Sequence, residues 1–275
     1  MTHRILIVTA VAAEADSVAR GLPFEGPGSG EFPLPGGFRL RRHADTLPPP
    51  GGAPRGPEAR AVVDVLVGGV GPAAVAVATA TALAAASRPA DAPHGTHGTH
   101  GTHGTPPYDL VVSAGIAGGF QPLAPLGSVV VSDTIVAADL GARTADAYLT
   151  VEELGFGRST HPVPARLTER ISRVLQEGAQ SHAVGPVLTV STVTGTAERA
   201  AELAKRHPGA AAEAMEGFGV AEAAAAYGVP VVEIRAVSNA VGPRDRAAWR
   251  IGQAMDSLRY TFQLLSHTLF VEPAP

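Results

Sequence analysis

No cysteine occurs among the 275 residues. That excludes a disulfide framework, a thiolate metal site, an iron–sulfur cluster and a cysteine nucleophile. Lysine is nearly absent, with Lys205 alone among 21 basic residues, so a Walker-type lysine and Schiff-base chemistry have little to be built from. Aromatic residues make up 5% and the net charge is −4. No basic stripe is available for a phosphate backbone or an anionic membrane surface, which argues against nucleic acid and membrane as partners. Catalysis must therefore run on carboxylates, amides, hydroxyls or histidine.

One uncharged run, residues 65–87, is long enough to raise a membrane-spanning reading. The break Gly68-Gly69-Val70-Gly71-Pro72 divides it into a β-branched half and an alanine-rich half. That is the pattern of a buried strand, a tight turn and a packed helix. Near the N-terminus Ile5-Leu6-Ile7-Val8 is followed closely by Glu14 and Asp16, which does not fit a signal peptide, so the expected address is cytoplasmic.

Short apolar runs recur at Ile5–Val8, Val62–Val67, Leu110–Val112, Val129–Val131, Val187–Val190 and Val231–Ile234. Helical patterns cover Pro72–Ser87, Pro164–Gln180, Ala197–Arg206, Gly217–Tyr227 and Arg246–His267. Pro72 and Pro164 suit a first helical turn, and Gly228 suits a helix stop. The alternation predicts an α/β fold: a three-layer sandwich in one domain, 1–275, with a central mixed β-sheet flanked by helices. Two stretches, about 23–57 and 94–107, break the pattern and read as low-complexity insertions. The second places His94, His97, His100 and His103 at a three-residue spacing. Without Cys, Asp or Glu among them nothing fixes a coordination geometry, so no metal site is expected there, only a surface loop.

Four places put functional groups at the ends of predicted strands. Glu14 follows the opening strand; a first-turn glutamate that favours the helix dipole is the plainer reading of it alone. Ser113-Ala114-Gly115-Ile116-Ala117-Gly118-Gly119-Phe120 follows a second strand. Small residues there allow close backbone approach to a ligand, or equally the packing of a turn. Its glycine spacing is not the dinucleotide fingerprint. In Ala214-Met215-Glu216-Gly217 a glutamate at a helix start is placed to accept hydrogen bonds from vicinal sugar hydroxyls, with methionine packing on the sugar; the bland alternative is a helix-start acid and a core side chain. Ser238-Asn239 ends the strand that begins at Val231, where α/β sheets bind ligands and where turns also favour asparagine.

Taken together, ILIVTAVAAE, VGGVGPAAVAVATA, VVSAGIAGGF, GSVVVSDTIVAADLGA, EAMEGFGVA and EIRAVSNAVGPRDRAAWRI resemble the nucleoside phosphorylase and nucleosidase superfamily over nearly the whole chain. The last two motifs look most like its futalosine-hydrolysing branch, whose members remove hypoxanthine from futalosine on an alternative route to menaquinone. By that resemblance Glu14 matches the glutamate that activates water, and Met215 and Glu216 match the pair that holds the ribose. Ile116, Ala117 and Gly118 match the backbone beside sugar and base, and Val70 an apolar neighbour of the attacking site. Val193 or Thr194 falls near the base-stacking position, across a spacing gap and without an aromatic. Trp249 matches an aromatic that lines the pocket for the 5′-substituent. The resemblance also implies a homo-oligomer and no cofactor.

Two departures refine the expectation. Adenine-cleaving members carry an aspartate where this chain has Asn239. A 6-oxopurine presents two acceptors, N7 and O6, to which an amide can donate, so Asn239 favours hypoxanthine or guanine over adenine. Phosphorolytic members carry arginines at places held here by Val11–Glu14 and Ser113, so water is expected as nucleophile in place of phosphate. The expected activity is hydrolysis of the N-glycosidic bond of futalosine, with Glu14 and Asn239 as catalytic residues. The alternatives are another purine nucleosidase or phosphorylase, acting on methylthioadenosine, S-adenosylhomocysteine or inosine, and a nucleoside-binding sensor without catalysis.

Overall fold

The computed structural model describes residues 3–26, 28–44, 61–87 and 107–270. The His-Gly-Thr tract and the stretch from Asp45 to Arg60 lie outside the described residues. The first half of the chain supplies β1 (His3–Thr9), α1 (Ala12–Arg20), β2 (Gly30–Pro33), β3 (Arg39–Ala44), β4 (Ala61–Val67), α2 (Pro72–Ser87), β5 (Leu110–Gly119) and β6 (Val129–Ala137). A small hairpin, β7 (Gly141–Arg143) and β8 (Tyr148–Thr150), follows. Then come β9 (Thr160–Pro162), α3 (Ala165–Glu177), β10 (His182–Thr189), α4 (Ala197–Arg206), β11 (Ala212–Ala214), α5 (Gly217–Ala226), β12 (Val231–Ala240) and α6 (Ile251–Ser266).

Ten strands form one mixed sheet in the order β11-β10-β6-β12-β5-β1-β4-β3-β2, with β9 against β6. β1 runs parallel to β4 and β5, and β12 parallel to β5, which is the pairing expected of strands joined by helical crossovers. Both faces of these strands are covered, so they read as unbroken apolar runs; Ile5, Leu6 and Ile7 are fully buried. α2 packs on α5 and α1 on α6.

Three features depart from the sequence reading. The glycine-rich segment after Val112 does not turn: β5 continues through it to Gly119, held along one edge by β12. Within the stretch 23–57, read as a low-complexity insertion, β2 and β3 extend the sheet beyond β4. The helix predicted over Arg246–His267 is divided: Arg246–Ala248 is a single 3₁₀ turn capped by Asp245, Trp249 is extended, and α6 begins at Ile251.

A closure of the sheet positions the site. β11, at the far edge, pairs back onto β5 through Ala212 with Gly119 and Glu213 with Gly118. β1 accompanies that same edge of β5 only as far as Val8 with Ser113. Between these two partners, Ala114 to Ala117 have no strand neighbour on that edge among the described residues, and the sheet is split there.

Candidate active site

The split is where Glu14 enters. Its carboxylate takes the N–H of Ile116 on Oε1 at 2.9 Å, and those of Ala10 and Val11 on Oε2 at 3.0 and 3.3 Å. A carboxylate offers about four lone-pair sites. Three are filled by fixed backbone donors, which locks the orientation of the group and leaves one for a further donor. The residue is 4% exposed. A side chain at Gly115 beneath it would displace both groups, since an added β-carbon would stand 2.5 Å from Glu14 Oε1 and 2.5 Å from Arg235 Nη1.

Arg235 is the residue that sequence reasoning missed. It lies inside β12 with its whole side chain buried, donating from Nε to Glu233 at 2.7 Å and from Nη2 to Glu216 at 3.1 Å and Ser113 Oγ at 3.2 Å. Among the described residues its Nη1 has no hydrogen-bond partner, and it faces Glu14 across the space above Gly115. The surrounding carboxylates Glu233, Glu216 and Glu14 hold the guanidinium above its ordinary pKa in spite of burial. Burial pushes the Glu233 carboxyl up, against the pull of Arg235. Arg235 thus brings a cation to a region where Val11–Glu14 and Ser113 supply none, but one positive charge among three carboxylates leaves no surplus to neutralise a phosphate dianion.

Glu216 sits at the start of α5 and joins three segments. Besides Arg235, it accepts the Gly71 N–H at 3.2 Å on Oε1 and the Met215 N–H at 3.2 Å on Oε2. The first bond draws in the β4–α2 turn, where Gly69 and Gly71 both have φ of +92° and Val70 between them is exposed. Val70, Met215 and Glu216 are therefore brought to one place, beside Glu14 and Arg235.

The other flank belongs to the end of β12. A bulge between Val237 and Asn239 puts Asn239 opposite Gly118, and a β-carbon on Gly118 would come 3.2 Å from Asn239 Nδ2. The Ser238 hydroxyl lies 2.8 Å from Asn239 Oδ1 and 3.2 Å from the Ala117 carbonyl. Arg250 N–H donates to the Ser238 carbonyl at 2.8 Å, which ties the segment carrying Trp249 to the same strand end. Trp249 has the guanidinium carbons of Arg244 and Arg246 5.6 and 5.8 Å from its ring centre. Val193 is exposed, whereas Thr194 is buried and bonded to Glu213, its N–H donating to Oε1 at 2.8 Å and its hydroxyl meeting Oε2. Among the described residues no group of histidines and carboxylates has the arrangement to hold a metal.

A sheet split over glycines, with a locked carboxylate at one side and an amide at the other, defines a site for a small polar molecule between strand ends. The chain belongs to the phosphorylase superfamily, whose family model matches residues 56–266. Within that superfamily it is 52% identical to futalosine hydrolase of Streptomyces coelicolor over 92% of this chain and 91% of the relative. It is 40% identical to futalosine hydrolase of Acidothermus cellulolyticus, over 96% and 91%. Among solved structures it matches futalosine hydrolase of Helicobacter pylori with a TM-score of 0.70 at 15% identity, covering 97% of this chain and 99% of that one. That last likeness concerns the fold.

Proposed function

We propose that this protein hydrolyses the N-glycosidic bond of futalosine, releasing hypoxanthine and dehypoxanthine futalosine for menaquinone synthesis. The observation that carries the reading is the Glu14 carboxylate, locked by three N–H groups in the split of the sheet and facing the free Nη1 of Arg235. A water accepting from Nη1 and donating to the remaining site of Glu14 is oriented as a nucleophile, and Glu14 takes its proton as it attacks. Glu216, held by Gly71, Met215 and Arg235, accepts from ribose hydroxyls while Met215 and Val70 pack on the sugar. Ile116, Ala117 and Gly118 present bare backbone to sugar and base. Positive charge grows on the ribose ring in an oxocarbenium-like transition state, and the carboxylates around it supply the stabilising field.

Asn239 Nδ2, which donates one hydrogen to the Ala240 carbonyl at 2.9 Å, donates the other to the 6-oxopurine edge, and Val193 and Thr194 close the base side. Trp249 stacks on the aromatic tail that distinguishes futalosine from ordinary nucleosides. The enzyme works without cofactor or metal, as a homo-oligomer in the cytoplasm. Initial rates of base release from futalosine, inosine and methylthioadenosine, each with and without phosphate, test the reading. Hypoxanthine from futalosine at a rate indifferent to phosphate is the expected result; preferred release of adenine, or a requirement for phosphate, would overturn it.

A further inference from the structure

Among the described residues five carboxylates are buried: Glu14, Asp64, Glu213, Glu216 and Glu233. Buried charges are normally paired, and four of these obey the rule. Asp64 has Arg42 at 2.7 Å and Arg4 at 3.8 Å, Glu216 and Glu233 share Arg235, and Glu14 faces it. Glu213 is the exception. Its two oxygens meet only the N–H and hydroxyl of Thr194, and burial pushes its carboxyl above the usual range. Two charged groups act on it from a distance. Arg199 of α4 is engaged with Glu202, and Asp139 beyond β6 accepts from Ser191 N–H at 2.6 Å.

The place of this acid in the sheet gives it a use. Glu213, Gly118 and Asn239 stand in register on β11, β5 and β12, so Glu213 and Asn239 flank a residue with no side chain, their backbones two strand spacings or about 9.5 Å apart. Strand partners in register carry their side chains on one face, and Asn239 already leans over Gly118. The proposed reaction needs a proton on the departing purine, and an amide cannot supply one.

On the futalosine reading above, we propose that Glu213, acting through the Thr194 hydroxyl, delivers the proton that lets the base leave. The C–N bonding pair departs with the purine while water oxygen bonds to the anomeric carbon and Glu14 takes the water proton. The Thr194 hydroxyl gives its proton to a ring nitrogen of the base and receives one from the Glu213 carboxyl. Glu213 is left as carboxylate, and exchange with solvent returns its proton as Glu14 loses the one it gained. Glu213 is thus a positioning residue and Thr194 the group that touches the base.

The test compares Glu213→Gln with the wild type on futalosine and on 4-nitrophenyl riboside, whose leaving group departs as an anion without protonation. Loss of a general acid costs about 10²–10⁴-fold. The expected result is a fall in kcat of that size on futalosine, little change on the nitrophenyl riboside, and loss of the alkaline limb that the wild-type pH profile shows as Glu213 deprotonates. Equal losses on both substrates, or an alkaline limb that persists in Glu213→Gln, would overturn the proposal and leave Glu213 a structural clamp. Should Glu213→Gln fail to fold, Thr194→Val and Thr194→Ser decide. Valine should reproduce the leaving-group-dependent loss and serine should reverse most of it; equal behaviour of the two would overturn the relay. Failure of the wild type to release hypoxanthine from futalosine would instead overturn the functional reading, and is seen before any variant is made.

Discussion

At Glu14 the backbone does most of the work of orientation. Because Ala10, Val11 and Ile116 fix both oxygens, Glu14→Gln keeps the shape but turns an amide NH₂ toward donors and removes the acceptor for the water proton. A fall in kcat of at least about 10²-fold with a small change in KM is expected; retention of more than a tenth of wild-type kcat would remove Glu14 from the chemistry. Asn239→Asp should shift preference from 6-oxopurine toward 6-aminopurine nucleosides, since a site with mismatched polar partners rejects its old ligand. An unchanged ratio of hypoxanthine to adenine release would contradict the edge-matching argument. Glu14, Met215, Glu216 and Asn239 stand out in the sequence as candidates because each follows a strand end inside a motif. Arg235 and Glu213 do not. Arg235 interrupts an apolar run, and its burial makes sense only once Glu14 and Glu216 arrive from two other segments to join Glu233 of its own strand; Glu213 sits in an Ala-Glu-Ala triplet that carries no periodicity.

Among the elements, most helices fell where apolar spacing and the proline and glycine signals placed them: α4 spans Ala197–Arg206 as expected, and α2 spans Pro72–Ser87. α1 was implied only by the first-turn position of Glu14. The turn alternative for β5 arose because three glycines look like a turn; they stay in a strand paired with β12, and Glu14 and Arg235 at Gly115, Asn239 and Val241 at Gly118, and Ala124 and Val237 at Gly119 fill the space side chains would take. The break before α6 had no local signal either, and Trp249 lies in it, fixed by the Arg250 bond to Ser238 rather than by a helix. With Arg244 and Arg246 each close to its ring, Trp249 offers an aromatic group beside two guanidinium groups, suited to an aromatic carboxylate. Trp249→Ala should therefore raise KM for futalosine far more than for inosine, which lacks the tail. Equal effects in steady-state kinetics on the two nucleosides would mean that Trp249 serves folding.

Across the whole molecule, the site exists because a mixed sheet closes on itself through β11 and β5 while β1 has already left. No local pattern announces that closure, which depends on pairing between residues almost a hundred positions apart. It assembles one buried arginine with three carboxylates in the opening, a field suited to a growing positive charge on ribose and hostile to an incoming phosphate dianion. The central claim is that water, activated in this split, attacks the sugar of futalosine. Turnover of futalosine in heavy-oxygen water, followed by mass spectrometry of both products, tests it most directly. One heavy oxygen in the ribose of dehypoxanthine futalosine, none in hypoxanthine, and the same outcome with phosphate present is the predicted result; a phosphorylated sugar, or no turnover at all, would contradict it.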